Sequence, residues 1–169
     1  MLIRPEKAED YQQIYQLVKS AFDKAEHSDG KEQDLVEHLR QSQSFIPELA
    51  LVAEINDEIV GYILFTQVRI GENIELALAP LAVLPTAQRL GVGKALIKRG
   101  HEIAKQLGYH YVIVLGNPHY YGKLGYQPAR QFQMTAPFEI DDAFFMAVEL
   151  NPPQNNVQGV VQYADEFGI

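Results

Sequence analysis

Leu81-Ala82-Val83-Leu84-Pro85-Thr86-Ala87-Gln88-Arg89-Leu90-Gly91-Val92-Gly93-Lys94-Ala95-Leu96 is the stretch on which the reading of this chain turns. It runs from an apolar strand, stopped by Pro85, through a glycine-containing turn into an amphipathic helix. The first turn of a helix has free N–H groups and the positive end of the helix dipole, and glycines let a ligand's oxygens approach that backbone. Such a junction is an anion site suited to a pyrophosphate. Three patterns compete for it. A dinucleotide fingerprint requires G-x-G-x-x-G, but Gly91-Val92-Gly93 is followed by Leu96, and no acidic residue stands about twenty positions on. A P-loop requires G-x-x-x-x-G-K-[ST]. Here Ala95 follows Gly93-Lys94 and Gln88 occupies the first glycine position, so no hydroxyl is available for magnesium. The third pattern, Q/R-x-x-G-x-G/A, is met by Gln88, Gly91 and Gly93.

Downstream, a helix is expected from about Leu90 to Leu107, with Val92, Leu96, Gly100, Ile103 and Leu107 on its apolar face and Gly108 closing it. Lys98, Arg99 and Lys105 fall mostly on the solvated face. Upstream, the strand begins near Ile74. Pro80 lies inside it and cannot donate to a ladder, which predicts a bulge. Before that, Ala50–Ile55 and Glu58–Ile70 read as strands joined by an Asn56-Asp57 hairpin turn, with a second turn at Gly71-Glu72-Asn73. The N-terminal part reads as a strand at Leu2–Arg4 and a helix from about Ala8 to Phe22. Tyr11, Ile14, Tyr15, Val18 and Phe22 would face the core. A second helix to about Gln41 carries the stripe Leu35, Val36, Leu39, with Asp29 and Glu32 as its capping box. After the long helix come a strand at Tyr111–Leu115, a helical turn around His119–Leu124, and strands at Phe144–Leu150 and Val160–Tyr163. This order is mixed α/β, with antiparallel hairpins and a β-α-β crossover.

Composition narrows the chemistry. The chain has 169 residues, enough for one core, and 47% of them are apolar. It has no cysteine, which excludes disulfides, a cysteine-ligated metal and a cysteine acyl-enzyme. The net charge of −8 disfavours nucleic acid as a partner and mildly favours a cationic small molecule. The start lacks a secretory apolar region and no apolar run is long enough to span a bilayer, so a cytoplasmic protein without membrane attachment is expected. His27, His38, His101 and His110 show no metal-ligand spacing and read as surface residues, and no metal is expected.

The strand, the Gln88/Gly91/Gly93 loop and the helix together resemble the GCN5-related N-acetyltransferase (GNAT) superfamily. Tyr121-Gly122-Lys123-Leu124-Gly125-Tyr126 is similar to that family's Y-x-K-x-G-F element. Leu115-Gly116-Asn117-Pro118-His119-Tyr120-Tyr121 resembles its YhbS-like predicted acetyltransferase subgroup. The resemblance implies an α/β (α+β) fold, with a mixed, mostly antiparallel central sheet, a bulged fourth strand and helices on both faces. It implies a single acetyltransferase domain over 1–169, with the cofactor motif at 81–96, the tyrosine block at 116–126 and a β-rich part at 127–169.

It also implies acetyl-CoA as co-substrate and an amine acceptor, either a small molecule or a peptide N-terminus or lysine, acetylated by direct transfer. Leu81, Ala82 and Val83 would lie along the pantetheine arm. Gln88, Arg89, Leu90, Gly91, Val92, Gly93 and Lys94 would hold the phosphates. Tyr121 would protonate the departing thiolate, and Glu75 occupies a position where some members carry a base. The family's asparagine seven residues before the tyrosine is Val114 here. Asn117, four residues before Tyr121, is the asparagine left for the cofactor side.

Each of these residues also has a plainer reading. The glycines could merely start a helix, Tyr121 could be a packing aromatic, Glu75 a solvated strand residue and His119 a loop side chain. A catalytically silent CoA-binding sensor and a loop for another phosphorylated ligand remain alternatives at this stage, and monomer and homodimer are both open. The expected acceptor determinants are His27–Glu32 and the segment after Pro128, where no motif is legible.

Overall fold

The computed structural model describes residues 1–25 and 28–169. The helices are α1 (Tyr11–Phe22), α2 (Glu32–Arg40), α3 (Val92–Gln106) and α4 (Pro118–Gly122). The long strands are β2 (Phe45–Ile55), β3 (Glu58–Ile70) and β4 (Asn73–Val83). Shorter ones are β1 (Leu2–Pro5), β5 (Tyr111–Leu115), β6 (Gln127–Pro128), β7 (Met134–Thr135), β8 (Phe145–Glu149) and β9 (Gly159–Gln162). The sheet runs β1-β2-β3-β4-β5-β8-β6, with β9 on the end of β3 and β7 beside β9. Pairings are antiparallel except β4–β5 and β7–β9.

Side chains alternate along a strand, so each strand feeds two cores. Leu76 and Leu78 of β4 join Val112, Val114 and Phe65 under Val92, Leu96 and Ile97 of α3. On the other face Val52, Tyr62 and Leu64 meet Ile14, Leu17 and Val18 of α1 and Val36 and Leu39 of α2. Ala77, Ile113 and Ala147 lie under the C-terminal segments, with Met134, Val157 and Val161. Helices therefore cover both faces of a mixed, mostly antiparallel sheet, as expected. Gly100 lets α3 lie close, because a Cβ there would collide with the ring of Phe65.

The predicted hairpin is present, with Asn56 at φ 53° and Asp57 at φ 64°, the doubly left-handed turn that suits the twist of paired strands. The predicted bulge is present too. Ile63 faces Leu81 and Phe65 faces Leu78, so β4 holds one residue more than β3 around Ala79-Pro80, whose peptide bond is cis.

Several boundaries differ. Helix α1 begins at Tyr11, after a 3-10 turn over Ala8–Asp10, and buries Ile14, Leu17 and Val18. Tyr11 is instead exposed, with the Arg40 guanidinium 3.7 Å from its ring centroid. The capping box at α2 does not form. Asp29 accepts the Lys31 N–H at 2.8 Å, Glu32 takes the Ser28 hydroxyl, and Lys31 stands at the cap position without a side-chain bond. Helix α3 starts at Val92, two residues later than expected, because Gly91 takes a left-handed φ of 80°. Leu107 is exposed where the chain turns away at Gly108. Among the described residues, no helix is long and apolar enough to cross a membrane.

Candidate active site

Strands β4 and β5 touch over only two residue pairs, Leu76–Val112 and Ala77–Ile113. Beyond them β4 stays on β3 as far as Val83, while β5 stays on β8 as far as Leu115. The two strands therefore part, and the β4 edge from Leu78 to Val83 that faces β5 has no ladder partner among the described residues. Unpaired backbone N–H and C=O groups on such an edge accept an extended polar chain as they would accept another strand.

The closed end of this split is pinned by Glu75. Its Oε1 accepts the backbone N–H of His110 at 2.8 Å and of Tyr111 at 3.1 Å, and its Oε2 lies 2.9 Å from His110 Nδ1. Glu75 is fully buried. This corrects the solvated reading of it, and both of its oxygens are committed to His110 and Tyr111. His110 is likewise no free surface residue but the partner of Glu75.

The open end meets the loop. A 3-10 turn over Pro85–Ala87 leads to Gln88, then Arg89 at φ 67° and Gly91 at φ 80°. Among the described residues, no backbone carbonyl takes the N–H groups of Gly91, Val92, Gly93 or Lys94. The first bond of the helix runs from Ala95 N–H to the Gly91 carbonyl at 3.0 Å. These free donors sit at the positive end of a 15-residue helix, beside the exposed cations Arg89 and Lys94. In a chain of net charge −8, they make a local site for an anion. A cleft of about 290 Å³ opens here, walled by Leu81 and Val83 on one side and by Gln88, Arg89 and the Gly91–Lys94 turn on the other. Ala82 and Leu90 are not in this wall. Ala82 points into the opposite core against α1 and α2, as alternation along β4 requires, and Leu90 is exposed. A larger groove of about 450 Å³ lies between α2 and the C-terminal turn, lined by Asp29, Glu32, Asp34 and Glu166 among others. Its four carboxylates disfavour an anion there.

Helix α4 brings the tyrosine block to the same end of the sheet. Asn117 Oδ1 accepts the His119 N–H at 2.8 Å and caps α4, while the side chain stays exposed. Val114 is buried in the core and offers nothing to the cleft. The ring of Tyr121 is buried against Gly116. It packs edge-on to Tyr120, with centroids 5.0 Å apart, and to Tyr126 at 5.4 Å. Its hydroxyl takes no hydrogen bond among the described residues. Burial, and then the neighbouring Tyr120, push the Tyr121 phenol up, so it is protonated at neutral pH.

Behind it, Tyr126 Oη lies 2.7 Å from His101 Nε2. His101 is thus half-buried rather than a plain surface residue, and burial lowers it to about 4. His38 and His119 are exposed, and His27 lies outside the described residues. The sequence reading missed Tyr120, which lines the loop cleft. The Tyr120-Tyr121 doublet was the available signal, since consecutive helical residues diverge by about 100° and only one of them can enter the core.

A family model described as Acetyltransferase (GNAT) family matches residues 11–126. The chain belongs to the GNAT family of acetyltransferases. The uncharacterized N-acetyltransferase YjhQ of Escherichia coli K12 is 36% identical over 143 residues, covering 80% of this chain and 79% of that protein. The uncharacterized N-acetyltransferase YhbS of the same strain is 30% identical over 171 residues, covering 99% and 98%. Among solved structures, YhbS from Escherichia coli in complex with CoA matches with a TM-score of 0.89 and 28% identity, over 99% of this chain and 92% of that one. A GNAT family acetyltransferase from Brucella melitensis in complex with acetyl-CoA matches with a TM-score of 0.81 and 30% identity, over 98% and 97%.

Proposed function

We propose that this GNAT chain is a one-domain enzyme that moves the acetyl group of acetyl-CoA directly to an amine. The observation that carries the reading is the parting of β4 and β5 beside the free N–H groups of Gly91–Lys94. The first feature suits the amides of a pantetheine arm and the second a diphosphate, and the two stand at adjoining ends of one cleft. The acetyl-CoA and CoA complexes of the Brucella and Escherichia structures support the same donor.

In this reading the thioester lies at the β4 bulge, where backbone N–H groups freed from the ladder stabilise the oxyanion. The neutral amine attacks the thioester carbonyl, the C–N bond forms, and the C–S bond of the tetrahedral intermediate breaks. The chain has no cysteine, so no cysteine acyl-enzyme intervenes. Tyr121 gives its proton to the CoA thiolate as the C–S bond breaks, and its phenolate, made strongly basic by burial, takes a proton back from solvent. Glu75 takes no part in the proton transfers, and water removes the amine's proton. Most of the acceleration comes from holding donor and acceptor together.

A thiol-release assay with acetyl-CoA over a panel of primary amines, polyamines, amino acids and peptides tests this. Acetylation of an amine with one CoA released per product is expected. Tight CoA binding without turnover on any acceptor would instead make the chain a binding module of the same fold.

A further inference from the structure

Tyr120 belongs to α4, yet its hydroxyl reaches across the cleft to the first turn of α3. A Cβ built on Gly93 would stand 2.8 Å from the Tyr120 Oη, 3.6 Å from a Leu81 methyl and 3.8 Å from a Val83 methyl. The hydroxyl therefore stands beside Gly93, in the turn whose N–H groups are free, on the side where β4 presents Leu81 and Val83. It makes no hydrogen bond among the described residues, and the side chain is 41% exposed. Its neighbour Tyr121 turns the other way, into the core. The position from which other family members reach the cofactor with an asparagine is Val114, fully inside the core. The two tyrosines thus have separate surroundings, Tyr120 with its hydroxyl beside Gly93 and Tyr121 with its ring packed between Gly116, Tyr120 and Tyr126.

From this geometry we infer that Tyr120 is a cofactor-binding residue whose hydroxyl donates to the diphosphate of the acyl-CoA donor at the N-terminus of α3. The inference rests on the acetyl-CoA reading above and adds to it a division of labour. Tyr120 contributes to holding the nucleotide end, and Tyr121 acts at the sulfur. An uncharged phenol suits the position, because it adds a donor to the helix N–H groups while leaving the fixed charge to Arg89 and Lys94. Its hydroxyl has no protein partner among the described residues, so no such bond has to break for the anion to be bound.

The test compares Tyr120→Phe with the wild-type chain on two donors. Acetyl-CoA carries the diphosphate, and S-acetyl-pantetheine lacks it. Wild-type affinity for acetyl-CoA is measured first by calorimetry. Its absence would defeat the acetyl-CoA reading itself, independently of Tyr120. Given wild-type binding, Tyr120→Phe should weaken acetyl-CoA about tenfold, the size expected for a hydrogen bond to a charged group. The maximal rate at saturating donor should stay close to wild type. With S-acetyl-pantetheine the two proteins should give the same kcat/KM. The substitution removes one hydroxyl from a part-exposed ring, so the fold should persist, and an unchanged Tm checks this. Unchanged affinity for acetyl-CoA would overturn the inference. An equal loss on both donors would also overturn it, by placing the hydroxyl at the pantetheine arm or the thioester.

Discussion

The ring of Tyr121 packs against Gly116, the residue that follows β5, and any side chain at position 116 would collide with it. The ring is held from the other sides by Tyr120 and Tyr126. The position of the Tyr121 hydroxyl is thus fixed by packing of the ring and not by a hydrogen bond of its own. Tyr121→Phe should keep that packing and lose only the proton donor. Turnover is expected to fall about 100-fold or more, with the Kd for CoA nearly unchanged. Wild-type turnover in this variant would show that water protonates the thiolate. Gly116→Ala should lower turnover as well, with a fall in Tm, because the ring must move.

Glu75 separates a clamp from a base. Glu75→Gln keeps one oxygen to accept the N–H groups of His110 and Tyr111, whereas Glu75→Ala leaves both buried donors without a partner. Each orphaned donor costs about 1–3 kcal/mol, so Glu75→Ala should lose about 3 kcal/mol or more in urea unfolding and Glu75→Gln much less. The shape of the pH–rate profile should survive Glu75→Gln. Loss of its acidic limb, with stability intact, would make Glu75 the base after all.

His101 predicts an acid-sensitive fold. Burial lowers its pKa to about 4, from an ordinary value near 6.5 in the unfolded chain. Between those values the unfolded state binds a proton that the native state refuses, so stability falls as pH drops from about 6.5 to about 4 and this contribution then levels off. The amplitude is about 2–3 kcal/mol. His101→Gln keeps a polar partner for Tyr126 and should remove most of this slope. An equal slope in both proteins, measured by denaturant unfolding at pH 4.5 and pH 7, would contradict the assignment.

The sequence carried those features that depend on local backbone chemistry. Pro80 implied the bulge, Asn56-Asp57 the hairpin, and Gly91 and Gly93 the turn into α3, because each acts within a few residues. It did not carry what depends on cross-strand partners. Glu75 reads as an ordinary strand carboxylate until β5 places two backbone donors on it, 35 and 36 residues away. His101 reads as surface until Tyr126 arrives beside it. Asp29 and Glu32 matched a capping pattern, but local bonds to Lys31 and Ser28 used them otherwise. The two-residue strands β6 and β7 are too short for any periodicity to register.

The acceptor prediction concerns the groove between α2 and the C-terminal turn. Asp29, Glu32, Asp34 and Glu166 line it, with Lys31 as a counter-charge, and Asp34 accepts the Tyr15 hydroxyl at 2.9 Å. If these carboxylates steer the acceptor, kcat/KM toward cationic amines should fall as salt rises from about 20 mM to about 200 mM. It should stay level for a neutral amine of the same size. A salt response equal for both amines, or activity confined to anionic acceptors, would remove the groove from the account.

The most direct measurement of the central claim is a calorimetric titration of acetyl-CoA into three proteins, the wild type, Gly91→Asn and Gly91→Asp. Gly91 has φ 80°, a conformation that asparagine and aspartate tolerate better than most residues, and a Cβ there meets nothing within 4 Å. The two variants therefore share their backbone strain and differ in charge. A carboxylate about 5 Å from a phosphate, at an effective dielectric near 20, opposes binding by about 3 kcal/mol, more than 100-fold. Saturable one-to-one binding to the wild type, a modest loss in Gly91→Asn and near abolition in Gly91→Asp is the result predicted. Equal affinity of Gly91→Asp and Gly91→Asn, or no binding to the wild type, would contradict the placement of acetyl-CoA on this loop.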